Sequence, residues 1–444
     1  MTPILHRLGL PVWMFALVVV YPIPHTIALR NLLLVSGLLV AGGILWRRRG
    51  VRRIGDTPLC GSLRLAGTIL AALTVWLGLQ SAFISPYPTL ALGMLRGDWL
   101  VALMVAITAA CAARIESPSA KGCLLTAITC ALFAHVVLLL AYQGYLWFAN
   151  GQFPIGTTPF AQKDYHSMLV TTLAALVVGE LVARFRSDRR TLQLSTRTLV
   201  TAGGLTLVAN GTLLARNAVL ITLLLLLIGV AAWMLHRGRR PSSRTLVTAA
   251  LALAAIGVAA WLGVQSDTRW QGFSAAVAAG LDRNGSLAWL DGDRHSWPTD
   301  AQGHDVEGSA YLRTAWARVA IEQIGANPLG LGYGHKAFGW AVNRAYNVHT
   351  GHESSHSGLL DFTLANGIPG LLLWLALGAS LAVAGWRTFR DNGSPAGLML
   401  MLTVLGYLAR CALDGHLSGW RLEMYALTIG TLIVTMREAE RPCG

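Results

Sequence analysis

Lysine is nearly missing from this chain. Of its 35 basic residues only Lys121, Lys163 and Lys336 are lysines, and only 21 residues are acidic. Charged residues make up 13% of the 444, against about 25% in soluble globular proteins. Hydrophobic residues make up 54%. So little charge and so much apolar surface exclude a disordered chain. Cysteine is scarce too, with six in all. Cys111, Cys123, Cys130 and Cys411 lie in or beside apolar runs, and Cys60 and Cys443 lie in segments expected on the cytoplasmic side. That placement excludes a small secreted domain stapled by disulfides. Length alone would suggest about three soluble domains at roughly 150 residues each. The composition replaces that estimate with an all-α polytopic membrane protein.

The net charge of +14 invites a nucleic-acid reading until the arginines are mapped. They bunch in short links: Arg47, Arg48, Arg49, Arg52 and Arg53; Arg184, Arg186, Arg189 and Arg190; Arg237, Arg239, Arg240 and Arg244. Each bunch follows or separates apolar runs of about 20 residues, the length that crosses a bilayer. This is the positive-inside pattern. No basic domain interleaved with aromatics accompanies it, so no nucleic-acid partner is expected.

Twelve runs are long and apolar enough to be read as spans: 9–23, 27–46, 64–84, 98–113, 122–142, 167–185, 197–214, 218–235, 245–264, 368–386, 396–413 and 422–436. With the arginine-rich links inside, 22 basic residues fall on the cytoplasmic side and both termini are cytoplasmic. No small-residue cleavage site follows the first run, so it is read as an uncleaved helix. The expected organisation is 1–264 as transmembrane helices 1–9, 265–367 as a large outer loop with amphipathic helices, and 368–444 as transmembrane helices 10–12. The outer segment 265–356 carries seven basic and nine acidic residues, so it is near neutral and water-facing.

Within that segment, Leu312, Ala315, Trp316, Val319, Ala320 and Ile324 recur at helical spacing and predict a helix from Gly308 to Ala326. It should stop at Asn327-Pro328. At 100° per residue Arg313 sits at the edge of the apolar stripe and Arg318 on the opposite face. A second helix is expected from about Ser354-Ser355, with serine as its N-cap, to Asn366-Gly367.

Five groups of residues could carry chemistry. His352-Glu353-Ser354-Ser355-His356 is a literal H-E-x-x-H, the zinc-protease motif, which needs both histidines on one helix face. A helix starting inside the motif would break that geometry, so no metal is expected. His356 then stands alone at a helix start, where an imidazole can take a proton, while His349 and His352 read as solvated. Arg216 lies between two apolar runs with almost no loop; a cation at that depth marks a function or a helix end, and phosphate or carboxylate is its natural ligand. Arg313 with Trp316 could reach a lipid-linked anion from the outer helix. Lys163 and His166 occupy a shorter outer loop on the same side. The run Asn327-Pro328-Leu329-Gly330-Leu331-Gly332-Tyr333-Gly334-His335-Lys336 lacks the G-K-[ST] ending of a phosphate loop and reads as a structural turn.

Taken together, R-x-x-W (Arg313 to Trp316), then N-P-L-G-L-G-Y-G, then H-S-G-L-L-D-F-x-L-A-N-G-I-P-G-L-L (His356 to Leu372), residues 310–375 resemble the signature region of the O-antigen ligase and polymerase superfamily. The resemblance implies a bacterial inner-membrane glycosyltransferase of the C-type class with its active site facing the periplasm. It implies transfer, with inversion, of a glycan from undecaprenyl diphosphate to a sugar of lipid A–core in lipopolysaccharide assembly, with no metal or other cofactor. By position, His356, Arg216 and Arg313 match the superfamily's catalytic histidine and arginines. Lys163, His166, Trp316, Arg318 and Glu353 are then expected on the substrates, Glu353 as a competing base. One dominant outer loop favours the ligase over the polymerase, which is the alternative. A zinc protease built on HESSH and a transporter built on Glu180, Asp98 and Asp361 are weaker readings.

Overall fold

A computed structural model describes residues 3–47, 61–116, 122–151, 158–213, 215–236, 243, 247, 257, 272–334, 336–349, 351–415 and 417–439. Among them the only β-structure is two isolated bridges. The helices are α1 (Pro3–Val20), α2 (Ile27–Arg47), α3 (Gly61–Leu79), α4 (Pro88–Met94), α5 (Val101–Ile115), α6 (Cys123–Asn150), α7 (Lys163–Ser187), α8 (Thr196–Leu213), α9 (Arg216–Leu235), α10 (Phe273–Leu281), α11 (Gly308–Ala326), α12 (Ala337–Tyr346), α13 (Gly358–Asn392), α14 (Pro395–Leu413) and α15 (Gly419–Ala439).

Eight helical stretches among the described residues are long and apolar enough to cross a membrane: Ile27–Ile44, Gly61–Ile84, Pro88–Ile115, Cys123–Asn150, Lys163–Ser187, Asn217–Leu235, Gly358–Asn392 and Pro395–Leu413. The expectation was twelve. Three more expected spans are helical but fall short: α1 has a short apolar part, Gly9–Val20, and α8 and α15 are not among the eight. Polar side chains account for this in α15, which carries Arg421, Glu423, Arg437 and Glu438. The expected span 245–264 lies, but for isolated residues, outside the described residues. The fourth span starts ten residues earlier than expected. Pro88 opens α4, where its missing N–H costs nothing, and a π-helical turn, Leu95–Leu100, carries the chain on into α5.

Side-chain bonds sort the helix ends into two groups. At one end Ser187 Oγ donates to the Gly393 carbonyl (2.9 Å), Arg186 to the His236 carbonyl (3.1 Å), and Arg387 to Ser62 Oγ (3.3 Å). At the other end Ser357 Oγ donates to the Ala412 carbonyl (3.0 Å), the Gly358 N–H to the Asp414 carbonyl (3.0 Å), and Asn217 Nδ2 to the Leu413 carbonyl (3.1 Å). The described helix ends that flank the arginine-rich runs therefore gather at one end of the bundle, and the His356 segment stands at the opposite end. Glu180, the clearest charge within an expected span, is taken up by an internal pair. It is fully buried, pairs with Arg184 at 2.8 Å and accepts from the Thr191 N–H. Arg184 in turn donates to the Leu192 and Leu194 carbonyls, so the pair closes the α7–α8 link.

The insert between α10 and α13 has its own apolar cluster, including Trp289, Tyr311, Ala315, Trp316, Val319, Phe338 and Val342, and it takes in Leu364 and Ala365 from the start of α13. The helix expected at 308–326 is α11, capped by Glu307, whose carboxylate accepts from the Ala310 N–H at 2.6 Å. The helix expected from Ser354-Ser355 starts at Gly358 instead. The physical reason is Asp361, whose carboxylate takes the Ser355 N–H at 2.8 Å and holds the preceding residues in a loop.

At Gly367 (φ 73°, ψ 174°) α13 leaves helical geometry, and the turn 327–334 packs into the break. The Leu331 and Gly332 N–H groups donate to the Leu364 and Ala365 carbonyls, and the Ile368 N–H donates to the Pro328 carbonyl at 2.9 Å. Gln80 and Trp76 of the α3 end donate to the Ala365 and Asn366 carbonyls. The run of glycines is thus a structural turn. A side chain at Gly330 would meet the Gly367 nitrogen at 2.4 Å, and one at Gly367 would meet Leu329 backbone at 2.5 Å.

Gly367→Ala should therefore be strongly destabilising, because it adds this clash to a backbone conformation that costs about 1–3 kcal/mol for a residue with a Cβ. Gly9→Ala, where nothing lies within 4 Å, is the control. Thermal unfolding in detergent should show a clear drop in midpoint for the first and almost none for the second; equal midpoints would refute the interlock.

Candidate functional site

The loop 351–357 is fixed from four sides. Lys336 Nζ pairs with Glu353 at 2.7 Å, and His352 Nε2 lies 3.3 Å from the Leu290 carbonyl. Asp361 holds Ser355, and Ser357 bonds to Ala412. Between these anchors His356 adopts a left-handed backbone (φ 56°), a conformation most side chains avoid. Strain of this kind persists where surrounding bonds over-determine it and gathers at functional sites. The H-E-x-x-H run is consequently not helical, and its two histidines do not share a helix face. Among the described residues no three His, Cys, Asp or Glu side chains gather as metal ligands.

The His356 imidazole stacks on Trp316 (5.1 Å between ring centres, 18° between planes), and His352 lies on the same indole at 5.4 Å. Trp316 is itself pinned by donation from Nε1 to the Trp289 carbonyl at 3.2 Å. Arg313 lies one turn before Trp316 on α11; it is exposed, and among the described residues no carboxylate pairs with it. Solvent reaches His356, yet the packed surroundings penalise its charged form. That burial, and then the Arg313 guanidinium, lower its pKa below the ordinary 6.5, against opposing pulls from Asp414 and Asp164.

The other expected residues are placed less uniformly. Arg216 is the first residue of α9, next to Asn217, which bonds α14 at Leu413; the Arg216 backbone thus belongs to the His356 end of the bundle. Lys163 opens α7. His166 is buried (1% exposed), with Nε2 3.0 Å from Thr158 Oγ1, so it braces the 158–161 turn and does not face open solvent. Arg318 is not on a solvated face: it donates to the Gly280 carbonyl at 3.1 Å and to Glu322 at 3.3 Å. Helix α10 covers that side of α11, which the periodicity of α11 by itself does not reveal. Glu353 is tied to Lys336, and His349 is exposed as expected.

Two arginines that sequence reasoning passed over stand at the same end. Arg410 of α14 is 1% exposed, its terminal nitrogens both meet Ser167 Oγ (Nη1 at 3.0 Å), and its Nε has no partner. Arg421 of α15 pairs with Asp164, donates to the Gly415 carbonyl at 3.0 Å and lies 5.0 Å over the Tyr165 ring. A buried cation with a single hydroxyl for a partner is costly and suits an anion. The signal was available: Arg410 interrupts the apolar run 396–413, which is a functional marker by default.

If Arg313 and His356 are coupled as placed, Arg313→Ala should raise the His356 pKa by removing a nearby positive charge, and Asp414→Asn should lower it. Nitrogen-15 shifts of the histidine ring, followed against pH, read both directions; no movement in either variant would separate the two groups.

The family model described as O-antigen ligase matches residues 198–375. That stretch contains Arg216, Arg313, Trp316, Arg318, Glu353 and His356, whereas Lys163, His166, Arg410 and Arg421 lie outside it. No curated protein matches the chain. This match takes in α11, the glycine turn and the His356 loop, so residues 198–375, less than half of the chain, are similar to the O-antigen ligase family.

Proposed function

We propose that this protein is an O-antigen ligase of the C-type glycosyltransferase class. It moves a glycan from undecaprenyl diphosphate to lipid A–core, at the periplasmic face of a bacterial inner membrane, with both termini in the cytoplasm. The observation that carries the reading is His356, held in a left-handed loop on Trp316 and flanked by Arg313, inside the segment that matches the family. The helix ends that lead into the arginine-rich runs lie at the far end of the bundle, which supports the orientation.

In this reading the acceptor hydroxyl is the nucleophile. Its oxygen bonds to the anomeric carbon, the glycosyl–oxygen bond to the diphosphate breaks, and the configuration inverts. The hydroxyl proton passes to His356, whose lowered pKa keeps the imidazole neutral and ready to accept it. The leaving diphosphate gains negative charge, and cations aimed at it stabilise the transition state. Arg313 is the exposed candidate, and Arg216, Arg410 and Arg421 stand at the same end of the bundle. These arginines would do the work a divalent cation does in other transfers. Lys163 stands at the start of α7 on the same face. An apolar cavity of about 220 Å³, lined by Leu63, Leu70, Ala102, Trp374, Leu381 and Ile429, offers a prenyl chain a site within the bundle.

The test is a reconstituted reaction with undecaprenyl diphosphate-linked glycan and lipid A–core, with and without EDTA. Wild type should move the glycan onto lipid A–core whether or not EDTA is present, and His356→Ala should lose about 100-fold or more of the rate. Arg313→Ala and Arg410→Ala should lose activity mainly through the donor. Lengthened glycan still on the polyprenyl carrier would mean a polymerase; near-normal transfer by His356→Ala at normal expression would remove the base.

A further inference from the structure

A cavity of about 60 Å³, with a largely apolar wall and a few polar groups set into it, lies beside the His356 loop and has no part in the chemistry above. Its walls come from four places: the π-helical turn at Asp98, the glycine turn at Tyr333, the start of α13 with Asp361 and Asn366, and the α14–α15 link at Ser418. Ser354 and Gly358, two residues either side of His356, also line it. Two polar atoms of these walls have no protein partner, Tyr333 Oη and Asn366 Oδ1. Both residues are deeply buried, at 3% and 1% exposed. A buried phenol and a buried amide oxygen left in this state carry the desolvation penalty of a polar group without the bond that offsets it.

Resting on the proposed glycosyl transfer, we infer that this cavity is a subsite for the uncharged, hydroxyl-bearing edge of a pyranose. The chemistry of the walls selects that ligand. Two carboxylates, a phenol, an amide oxygen and a serine hydroxyl, Ser418, offer acceptors to hydroxyl donors, and the phenol can also donate. Phe362, 5% exposed, supplies an apolar wall for ring carbons. Among the described residues no arginine or lysine lines the cavity, so the diphosphate finds no cation here. In this reading it belongs with Arg313, the charge that acts on His356. The space would hold about four waters at roughly 15 Å³ each, which is one polar edge of a sugar ring rather than a whole disaccharide.

Two variants test the assignment on the full chain in detergent. Tyr333→Phe removes only the unpartnered hydroxyl, and Ser418→Phe fills the space. Binding of methyl β-glucoside and of its uncharged galactose counterpart is followed by saturation-transfer NMR, with methyl glucuronide as the anionic comparison. The neutral glycosides should bind wild type, about five-fold more weakly to Tyr333→Phe for the loss of one hydrogen bond, and not detectably to Ser418→Phe. The glucuronide should bind less well than either. In the transfer assay, a rise in KM confined to lipid A–core would place the acceptor sugar here, and one confined to the lipid-linked glycan would place the donor sugar here.

Equal binding in all three proteins, or tighter binding of the glucuronide, would overturn the subsite. Wild type that transfers glycan while both variants keep normal KM values would also overturn it and leave the proposed reaction standing. Wild type that transfers nothing, yet loses glycoside binding in both variants, would leave the subsite standing and remove the reaction.

Discussion

The arrangement depends on one close approach of backbone to backbone. Residues 327–334 press into the break in α13 at Gly367, with three hydrogen bonds between main chains and no room for a Cβ at Gly330 or Gly367. This contact does two jobs. It satisfies carbonyls that the interrupted helix leaves free, which is necessary near a bilayer, where unpaired backbone is costly. It also fastens the insert to the bundle, because Gln80, Trp76 and Ser85 of the α3 end bond to the same strip of chain. The candidate site hangs from this joint: α11 lies before the turn, and the His356 loop lies between the turn and the break.

Charges of both signs act on His356. A charge in low dielectric acts over several ångströms with little screening. Burial and then Arg313 lower the pKa of its imidazole, while Asp414 and Asp164 pull it up, and Asp164 is itself paired with Arg421. The indole of Trp316 fixes the plane of that ring and, through Trp289, ties it to the insert's own apolar cluster. Orientation of the ring is therefore set by packing rather than by a carboxylate hydrogen bond.

Much of this was legible in the residues. Helix α11 declares itself by an apolar stripe and by Asn327-Pro328 at its end, both local signals. The spans that meet the length and hydropathy requirement were readable because a bilayer demands some 20 apolar residues in a row. Less local features were not. The start of α13 was misplaced because its cap depends on Asp361 reaching back to Ser355, a bond no capping pattern encodes. Arg318, expected on the substrates, instead bonds Gly280 and Glu322, because α10 covers that side of α11. Arg410 carried a readable signal, an arginine in an apolar run, but only the packing of α14 on α7 brings it to Ser167.

The sequence by itself determined the class, the likeness of residues 310–375 to one superfamily, and the helical character of the insert. Each of these follows from composition, from runs of fixed length or from short-range periodicity, which the chain carries whatever its tertiary contacts. Only the tertiary structure decided that His356 lies on Trp316, that Arg410 and Arg421 join its end of the bundle, and that Asp98, Tyr333 and Asn366 enclose one cavity. Trp316 and His356 stand 40 positions apart, and Asp98 and Tyr333 stand 235 apart. They meet because burial of apolar helix faces and the glycine joint at Gly330 and Gly367 leave the chain a single way to bring its helix ends together.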